Sequence, residues 1–233
     1  MKTKMILLVL VVCPIILFGQ TWDYPVKPET EEWKNMDYID KLRKSQPLKE
    51  IVDDMTTNVL FENCLKYPFN KEILLFNNPN DRFRILFDNS IVWTEFIKRK
   101  DAFIVLKKYY TQNSLDDIAK IKDENTRNNE RFNLYFLEKV ISETSFVDNL
   151  SASEKKDMMK NLLDMHISKK NYPHEYLGFS YNSTLSAIRK IIIAEKAGTK
   201  SIESMKEITD NERFVNDDLD KEIIELSRKI ISK

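Results

Sequence analysis

Two histidines, His166 and His174, are the side chains in this chain best suited to acid–base or metal chemistry. With Asp164 and Glu175 they provide four potential ligands within a short stretch. A zinc site needs three or four such groups to converge, and neither histidine belongs to an H-E-x-x-H motif. Because His166 follows Leu162 by four residues on an apolar stripe, we expect a hydrogen-bonded, half-buried histidine there, and a solvated one at position 174. The sequence therefore predicts no metal, no cofactor and no catalytic histidine.

Other catalytic patterns are equally absent from the sequence. Phosphate-cradling loops and dinucleotide folds need clustered glycines, whereas this chain has three glycines in 233 residues. Adjacent acidic residues, such as Asp53 with Asp54, point in different directions on a helix and make poor acid–base pairs. Cys64 lies in an apolar helical context that indicates a small buried side chain rather than a reactive thiol. We assign no catalytic residue from the sequence.

Aromatic residues are concentrated in two segments that could recognise a partner. Residues 21–33 carry two tryptophans, a tyrosine and two prolines, and residues 172–181 form a tyrosine-rich loop. Aromatic side chains with a polar tip suit binding surfaces. The alternatives are an extended strap that packs on the helices and a loop that covers the end of the bundle. The candidate binding residues are Trp22, Tyr24, Trp33, Tyr172, Tyr176 and Tyr181.

The first twenty residues predict export. Lys2 and Lys4 precede an uncharged apolar run over residues 5–18, and Gly19 offers a small residue near a cleavage point. This is the layout of a secretory signal peptide, and the run is shorter than the roughly twenty apolar residues of a membrane span. We expect a periplasmic, surface-associated or secreted protein with no stable membrane anchor after cleavage, although an uncleaved anchor is an alternative.

The remaining residues, 21–233, predict a single all-α domain. Apolar residues recur with helical spacing, and no segment alternates with period two. Short helices between residues 47 and 110, followed by longer ones, indicate an irregular multi-helix bundle or a helical-repeat-like array of short antiparallel helices. An extended N-terminal strap precedes them, because Pro25 and Pro28 disfavour helix. The polar residues 122–131 are interpreted as a surface loop, an exposed helix or a subdomain seam.

Helix boundaries are predicted from capping residues. Thr30, Thr56 or Thr57, Ser90 and Ser114 are expected to begin helices, and Pro47 is expected at the first position of one. Ser151 and Glu154 have the spacing of a capping box. A later helix is expected to begin at Asn182 or Ser183, and the last helix at Asp217 and Asp218.

The sequence Trp-Asp-Tyr-Pro-Val-Lys-Pro-Glu-Thr-Glu-Glu-Trp at residues 22–33 resembles the opening of a set of exported bacterial proteins of unknown function. Those proteins share a W-D-Y-P-V-K-P-x-T-E-E-W motif after their signal peptide. The run Leu-Phe-Glu-Asn-Cys-Leu-Lys-Tyr-Pro at residues 60–68, then Phe-Asn-Asn at 76–78, is also similar to their pattern. The resemblance implies export and a helical fold but brings no activity.

These observations favour an interaction module whose partner is an unidentified envelope or extracellular protein or glycan. The equal numbers of basic and acidic residues, 37 of each, give no reason to expect nucleic-acid binding. The main alternative is a hydrolase with an unrecognised carboxylate and histidine site in a groove between helices. A small-ligand carrier is a third reading, which would require an apolar pocket.

Overall fold

The computed structural model describes residues 22–28, 30–75, 79–143, 145–172, 179–195 and 217–232. These residues form twelve α-helices and contain no strand, which confirms the all-α prediction. The helices are α1 (Glu31–Asn35), α2 (Tyr38–Lys44), α3 (Lys49–Asp54), α4 (Thr57–Leu65), α5 (Pro79–Asp88), α6 (Ile91–Phe96), α7 (Ala102–Gln112), α8 (Leu115–Lys120), α9 (Glu124–Glu143), α10 (Ala152–Lys169), α11 (Phe179–Ala194) and α12 (Asp217–Ile231). Two 3₁₀ helices, Asn70–Leu75 and Val147–Asn149, lie between them.

The described part of the chain starts with the predicted extended strap, residues 22–28. The backbone N–H of Trp22 donates to Asn63 Oδ1 at 2.9 Å, and the Tyr24 hydroxyl donates to the Asn63 carbonyl at 3.0 Å. Tyr24 and Val26 are buried in the core, and Trp33 at the start of α1 packs its ring 5.2 Å from that of Phe69. The strap is therefore fastened to α4 by backbone and side-chain hydrogen bonds as well as by apolar burial.

Short helices α1 to α8 pack around a core that is rich in aromatic rings. Trp93 is fully buried, and its ring contacts those of Phe61, Phe96 and Phe136 at centroid distances of 6.5, 6.1 and 5.2 Å. Its indole Nε1 donates to Asn70 Oδ1 at 3.1 Å, which satisfies the polar edge of an otherwise apolar side chain. Cys64 is also fully buried in this core, as predicted.

The longer helices α9 to α12 form the second half of the bundle. Helix α11 packs against α9 and α10, and α12 closes over α10 and α11. Their core is mainly aliphatic, with fully buried leucine, isoleucine, valine and methionine side chains. The main contributors are Leu137, Val140, Ile141, Met158, Met159, Leu162, Leu185, Ile188, Ile191, Ile192 and Ile223. Residues 124–131 of the polar stretch 122–131 form the first turns of α9, and most of them are exposed.

Most of the predicted helix starts are confirmed. The hydroxyls of Thr30, Thr56, Ser90 and Ser114 each accept a hydrogen bond from the backbone N–H three residues later. Ser151 and Glu154 form the predicted capping box. These caps could be recognised because they use only contacts within four residues of the chain.

Two predicted starts are wrong. Helix α11 begins at Phe179, ahead of Asn182 and Ser183, and both of those residues lie inside the helix with buried side chains. Pro47 precedes the N-cap of α3, which is Leu48, instead of occupying the first helical position. Within the described ranges, no helix is long and apolar enough to span a membrane.

Candidate binding groove

A groove with a volume of about 800 Å³ opens between the strap, α4, α7 and α9. Its size falls within the range of about 300–1,000 Å³ that is usual for ligand sites. The strap forms one wall, and the polar first half of α9 forms the facing one. The lining includes Trp22, Tyr24, Lys27, Glu62, Lys66, Tyr67, Asn70, Lys71, Tyr109, Asn129, Glu130, Phe132 and Asn133.

The aromatic side chains of the groove fall into two groups. Tyr24 and Tyr67 are buried and only edge the groove, with ring centroids 6.1 Å apart. Trp22, Tyr109 and Phe132 are partly exposed and packed against the core. These three rings therefore combine a fixed position with a surface that a ligand can touch.

Trp22 is held by its main chain and by one edge of its ring. The indole Nε1 is shielded from solvent and has no hydrogen-bond partner in the described part of the chain. Because the side chain as a whole is partly exposed, the Nε1 edge of the indole is buried while another part of the ring remains accessible to solvent. The hydrogen bond from its backbone N–H to Asn63 does not depend on the side chain.

Tyr109 connects α7 to the groove wall formed by α9. Its hydroxyl donates to Glu130 Oε2 at 2.5 Å and accepts a hydrogen bond from Asn133 Nδ2 at 3.1 Å. Burial raises the pKa of Tyr109, and the Glu130 carboxylate raises it further because a phenolate would be repelled there. The phenol consequently stays neutral at physiological pH and holds both α9 side chains in place.

Charges along the groove are balanced. Lys27, Lys66 and Lys71 are matched in number by Asp23, Glu62 and Glu130, and Lys27 forms an ion pair with Asp23 at 2.8 Å. A groove without net charge gives no long-range attraction for a polyanion such as nucleic acid. The lining is suited to a ligand that is itself neutral and carries many hydrogen-bonding groups.

The five predicted binding residues that the structure describes do not meet in one place. Of these five, Trp22 and Tyr24 line the groove, whereas Trp33 is buried against Phe69. Tyr172 donates a hydrogen bond to Asp116 on α8. Tyr176 lies outside the described residues.

Tyr181, the last of the predicted binding residues, belongs to a cluster under α12. Its ring lies 4.4 Å from that of His166, and Asp220 Oδ1 is 2.6 Å from His166 Nε2. Lys170 Nζ also donates to Asp220, at 2.5 Å. Although burial alone would raise the pKa of Asp220, hydrogen bonds from His166 and Lys170 lower it to about 2.

His166 is hydrogen-bonded as predicted, but it is fully buried rather than half-buried. Its ring is directed at Asp220, while Asp164 is exposed to solvent. His174 and Glu175 lie outside the described residues. Among the residues that the structure describes, no three histidine, cysteine, aspartate or glutamate side chains converge as a metal site would require.

A second polar cluster is buried between α7, α9, α10 and α11. It was not predicted from the sequence. Lys169 Nζ lies 2.8 Å from both carboxylate oxygens of Glu138, and neither side chain is exposed. The hydroxyls of Tyr110, Ser183 and Thr184 donate to the same carboxylate at 2.6, 2.5 and 2.9 Å. Burial lowers the pKa of Lys169, and the carboxylate opposes that shift. The available signal in the sequence was that Glu138 in α9 and Lys169 in α10 are charged residues at core positions of their helices.

In comparisons with known proteins, no protein-family model, curated protein or solved structure matches this chain.

Proposed function

We propose that the protein is an exported glycan-binding module and that the groove between the strap and α9 receives the glycan. The single observation that carries the proposal is the composition of this groove: partly exposed aromatic rings beside fixed amide and carboxylate groups, with no net charge. Export, as predicted from residues 1–20, would expose the protein to the glycans of the cell envelope and its surroundings.

A sugar ligand needs an apolar surface and also a set of hydrogen-bonding groups. The C–H face of a pyranose ring is apolar and packs on aromatic side chains, whereas its hydroxyl groups require acceptors and donors at the edge of the ring. Trp22 and Phe132 supply the first kind of surface, and Asn129, Glu130 and Asn133 supply the second. A ligand helix would instead need a continuous apolar groove, and a ligand strand would need an exposed sheet edge.

The proposal is tested with the mature chain, residues 21–233, and a panel of neutral oligosaccharides. Trp22→Ala removes the aromatic surface but leaves the backbone hydrogen bond to Asn63, so we expect a folded protein that binds at least about tenfold more weakly. Tyr38→Ala is the matched control, because Tyr38 is an exposed aromatic residue that does not line the groove. Calorimetric titration gives the affinities, and circular dichroism confirms the fold.

If no oligosaccharide binds while a protein from an envelope extract is retained by the wild type and lost with Trp22→Ala, the groove is a protein-binding site. That outcome would overturn the glycan assignment. Equal glycan binding by the wild type and Trp22→Ala would place the glycan elsewhere on the molecule and would also contradict the proposal.

A second candidate function is hydrolysis of a bound glycan. The observation that favours it is that two carboxylates on different helices, Glu62 and Glu130, line the same groove. Glycosidases use such a pair as acid and base or nucleophile. Chromatography of oligosaccharides incubated with the wild type, Glu62→Gln and Glu130→Gln decides this point: cleavage that both variants abolish would make the protein a hydrolase, and intact sugar would leave a binding module.

A further inference from the structure

The wall of the groove formed by α9 presents two acceptor groups that are fixed in advance. Glu130 and Asn133 are three residues apart on α9, so their side chains leave the helix on the same face. Both reach the same atom, the Tyr109 hydroxyl oxygen, at 2.5 and 3.1 Å. Each side chain has one further oxygen, which belongs to the same carboxylate or amide group that contacts the Tyr109 hydroxyl.

The hydrogen bonds of this trio leave two acceptors free. Tyr109 occupies Glu130 Oε2, and Asn133 uses its Nδ2 group as the donor to Tyr109. Within the described part of the chain, no donor is assigned to Glu130 Oε1 or to Asn133 Oδ1. All three side chains are partly buried, which limits their rotation and competing hydration.

Building on the proposed glycan function, we infer that Glu130 and Asn133, held by Tyr109, read a pair of adjacent hydroxyl groups on a neutral sugar ring. Two adjacent acceptors match two adjacent donors, which is the pattern of a vicinal diol. The carboxylate makes the stronger, charge-assisted bond and also disfavours an acidic sugar by repulsion. Trp22 and Phe132 line the same groove and offer the apolar surface for the ring.

The expected preference among glucans follows from which hydroxyl groups the glycosidic linkage leaves unsubstituted. Interior residues of 1,4-linked glucans keep adjacent hydroxyls at positions 2 and 3, whereas those of 1,3-linked glucans do not keep two adjacent hydroxyls. The trio should therefore favour 1,4-linked chains. Both hydroxyl groups must be unmodified at this position, because acylation or oxidation of either one removes a donor.

Binding is measured by calorimetric titration of the mature chain with cellohexaose and maltohexaose, which are 1,4-linked, and with laminarihexaose, which is 1,3-linked. We expect the wild type to prefer at least one 1,4-linked sugar over laminarihexaose by about tenfold or more. Glu130→Gln should lose that preference, because it removes the charge while keeping the size of the side chain. Tyr109→Phe should reduce the preference severalfold, because the two α9 side chains lose their anchor.

Glu124→Gln is the matched control, since Glu124 is an exposed glutamate on the same helix that does not line the groove. It should bind as the wild type does. Thermal unfolding of each variant separates loss of binding from loss of fold.

The outcomes distinguish this inference from the function on which it rests. If cellohexaose or maltohexaose binds and Trp22→Ala weakens it, but Glu130→Gln and Tyr109→Phe keep the wild-type preference, glycan binding stands and the diol assignment is overturned. Equal affinity of the wild type for all three sugars overturns it too. Failure of all three sugars to bind the wild type overturns this inference, and the wider panel of neutral oligosaccharides then decides whether glycan binding itself stands.

Discussion

The two halves of the bundle satisfy their buried polar groups in different ways. In the half built from α1 to α8, neutral amides do so: Asn63 holds the strap, and Asn70 accepts from the Trp93 indole. In the half built from α9 to α12, charged groups do so, through Glu138 with Lys169 and through Asp220 with His166. An amide left without a partner costs less than a buried charge, so the first half should tolerate substitution better than the second.

The comparison also locates the groove. The strap, α4 and Tyr109 on α7 line it from the half with the neutral network, and α9 lines it from the other half. The charged clusters around Glu138 and Asp220 do not line it. A buried ion pair demands one fixed arrangement and would resist the small adjustments that ligand binding requires. We therefore expect the Glu138–Lys169 pair to hold α9 firmly, so that α9 forms a rigid wall of the groove.

The largest effect is expected from Glu138→Ala. Removing the carboxylate takes the opposite charge away from the buried Lys169, which should lower the free energy of unfolding by about 3–5 kcal/mol. Urea unfolding followed by circular dichroism measures it. Lys120→Ala, which breaks an exposed ion pair with Asp117, is the control and should leave stability nearly unchanged because solvent screens the pair. A loss no larger than the control's would erase the distinction between the halves.

A middle-sized effect is expected from Asn63→Ala. Its amide oxygen is the acceptor for the Trp22 backbone N–H, so the variant leaves the strap held less firmly and should lose about 1–3 kcal/mol. Asn89→Ala is a close control, because each asparagine donates from Nδ2 to the carbonyl four residues earlier, Val59 or Ile85. Asn63 differs from Asn89 in that it also holds the strap and is fully buried, whereas Asn89 is exposed. If both variants lose the same stability in thermal unfolding, the strap is not fastened through Asn63.

The smallest effect is expected from Asp220→Asn, and it depends on pH. The pKa of Asp220 is lowered from 3.8 to about 2 in the folded protein, so its ionised form stabilises the fold fully above about pH 4. That contribution is lost as the pH falls through 2. Urea unfolding at pH 6, 4 and 3 should show the wild type more stable than the variant at pH 6, with the difference narrowing at pH 3. A difference independent of pH would show that the carboxylate charge is not what holds α12.

Local features of the fold could be predicted because their causes lie close together in the chain. The capping hydroxyls at Thr30, Ser90 and Ser114 and the capping box at Ser151 each need only the next three or four residues. For the same reason the prediction failed at Asn182 and Ser183. Their polar side chains suggested a helix start, but the distant Glu138 carboxylate gives Ser183 a partner inside the bundle, so α11 can begin earlier.

The groove could be predicted only in part. Trp22 and Tyr24 were recognised because aromatic residues beside prolines are conspicuous in a sequence of this composition. The other groove residues Tyr109, Glu130 and Asn133 were not recognised, because each resembles an ordinary residue of an amphipathic helix. Their role depends on α7 and α9 coming together, which no spacing along the chain records.

By itself, then, the sequence determined the helical class, most helix starts and an extended N-terminal strap, because periodicity, capping and proline geometry act over a few residues. Only the tertiary structure decided that Trp33 is buried while Trp22 lines a groove, that His166 faces Asp220 instead of Asp164, and that Glu138 and Lys169 meet in the core. These choices depend on contacts between residues 31 to 54 positions apart or on the packing of whole helices. Such contacts form when the helices assemble, and the order of residues within one helix does not specify them.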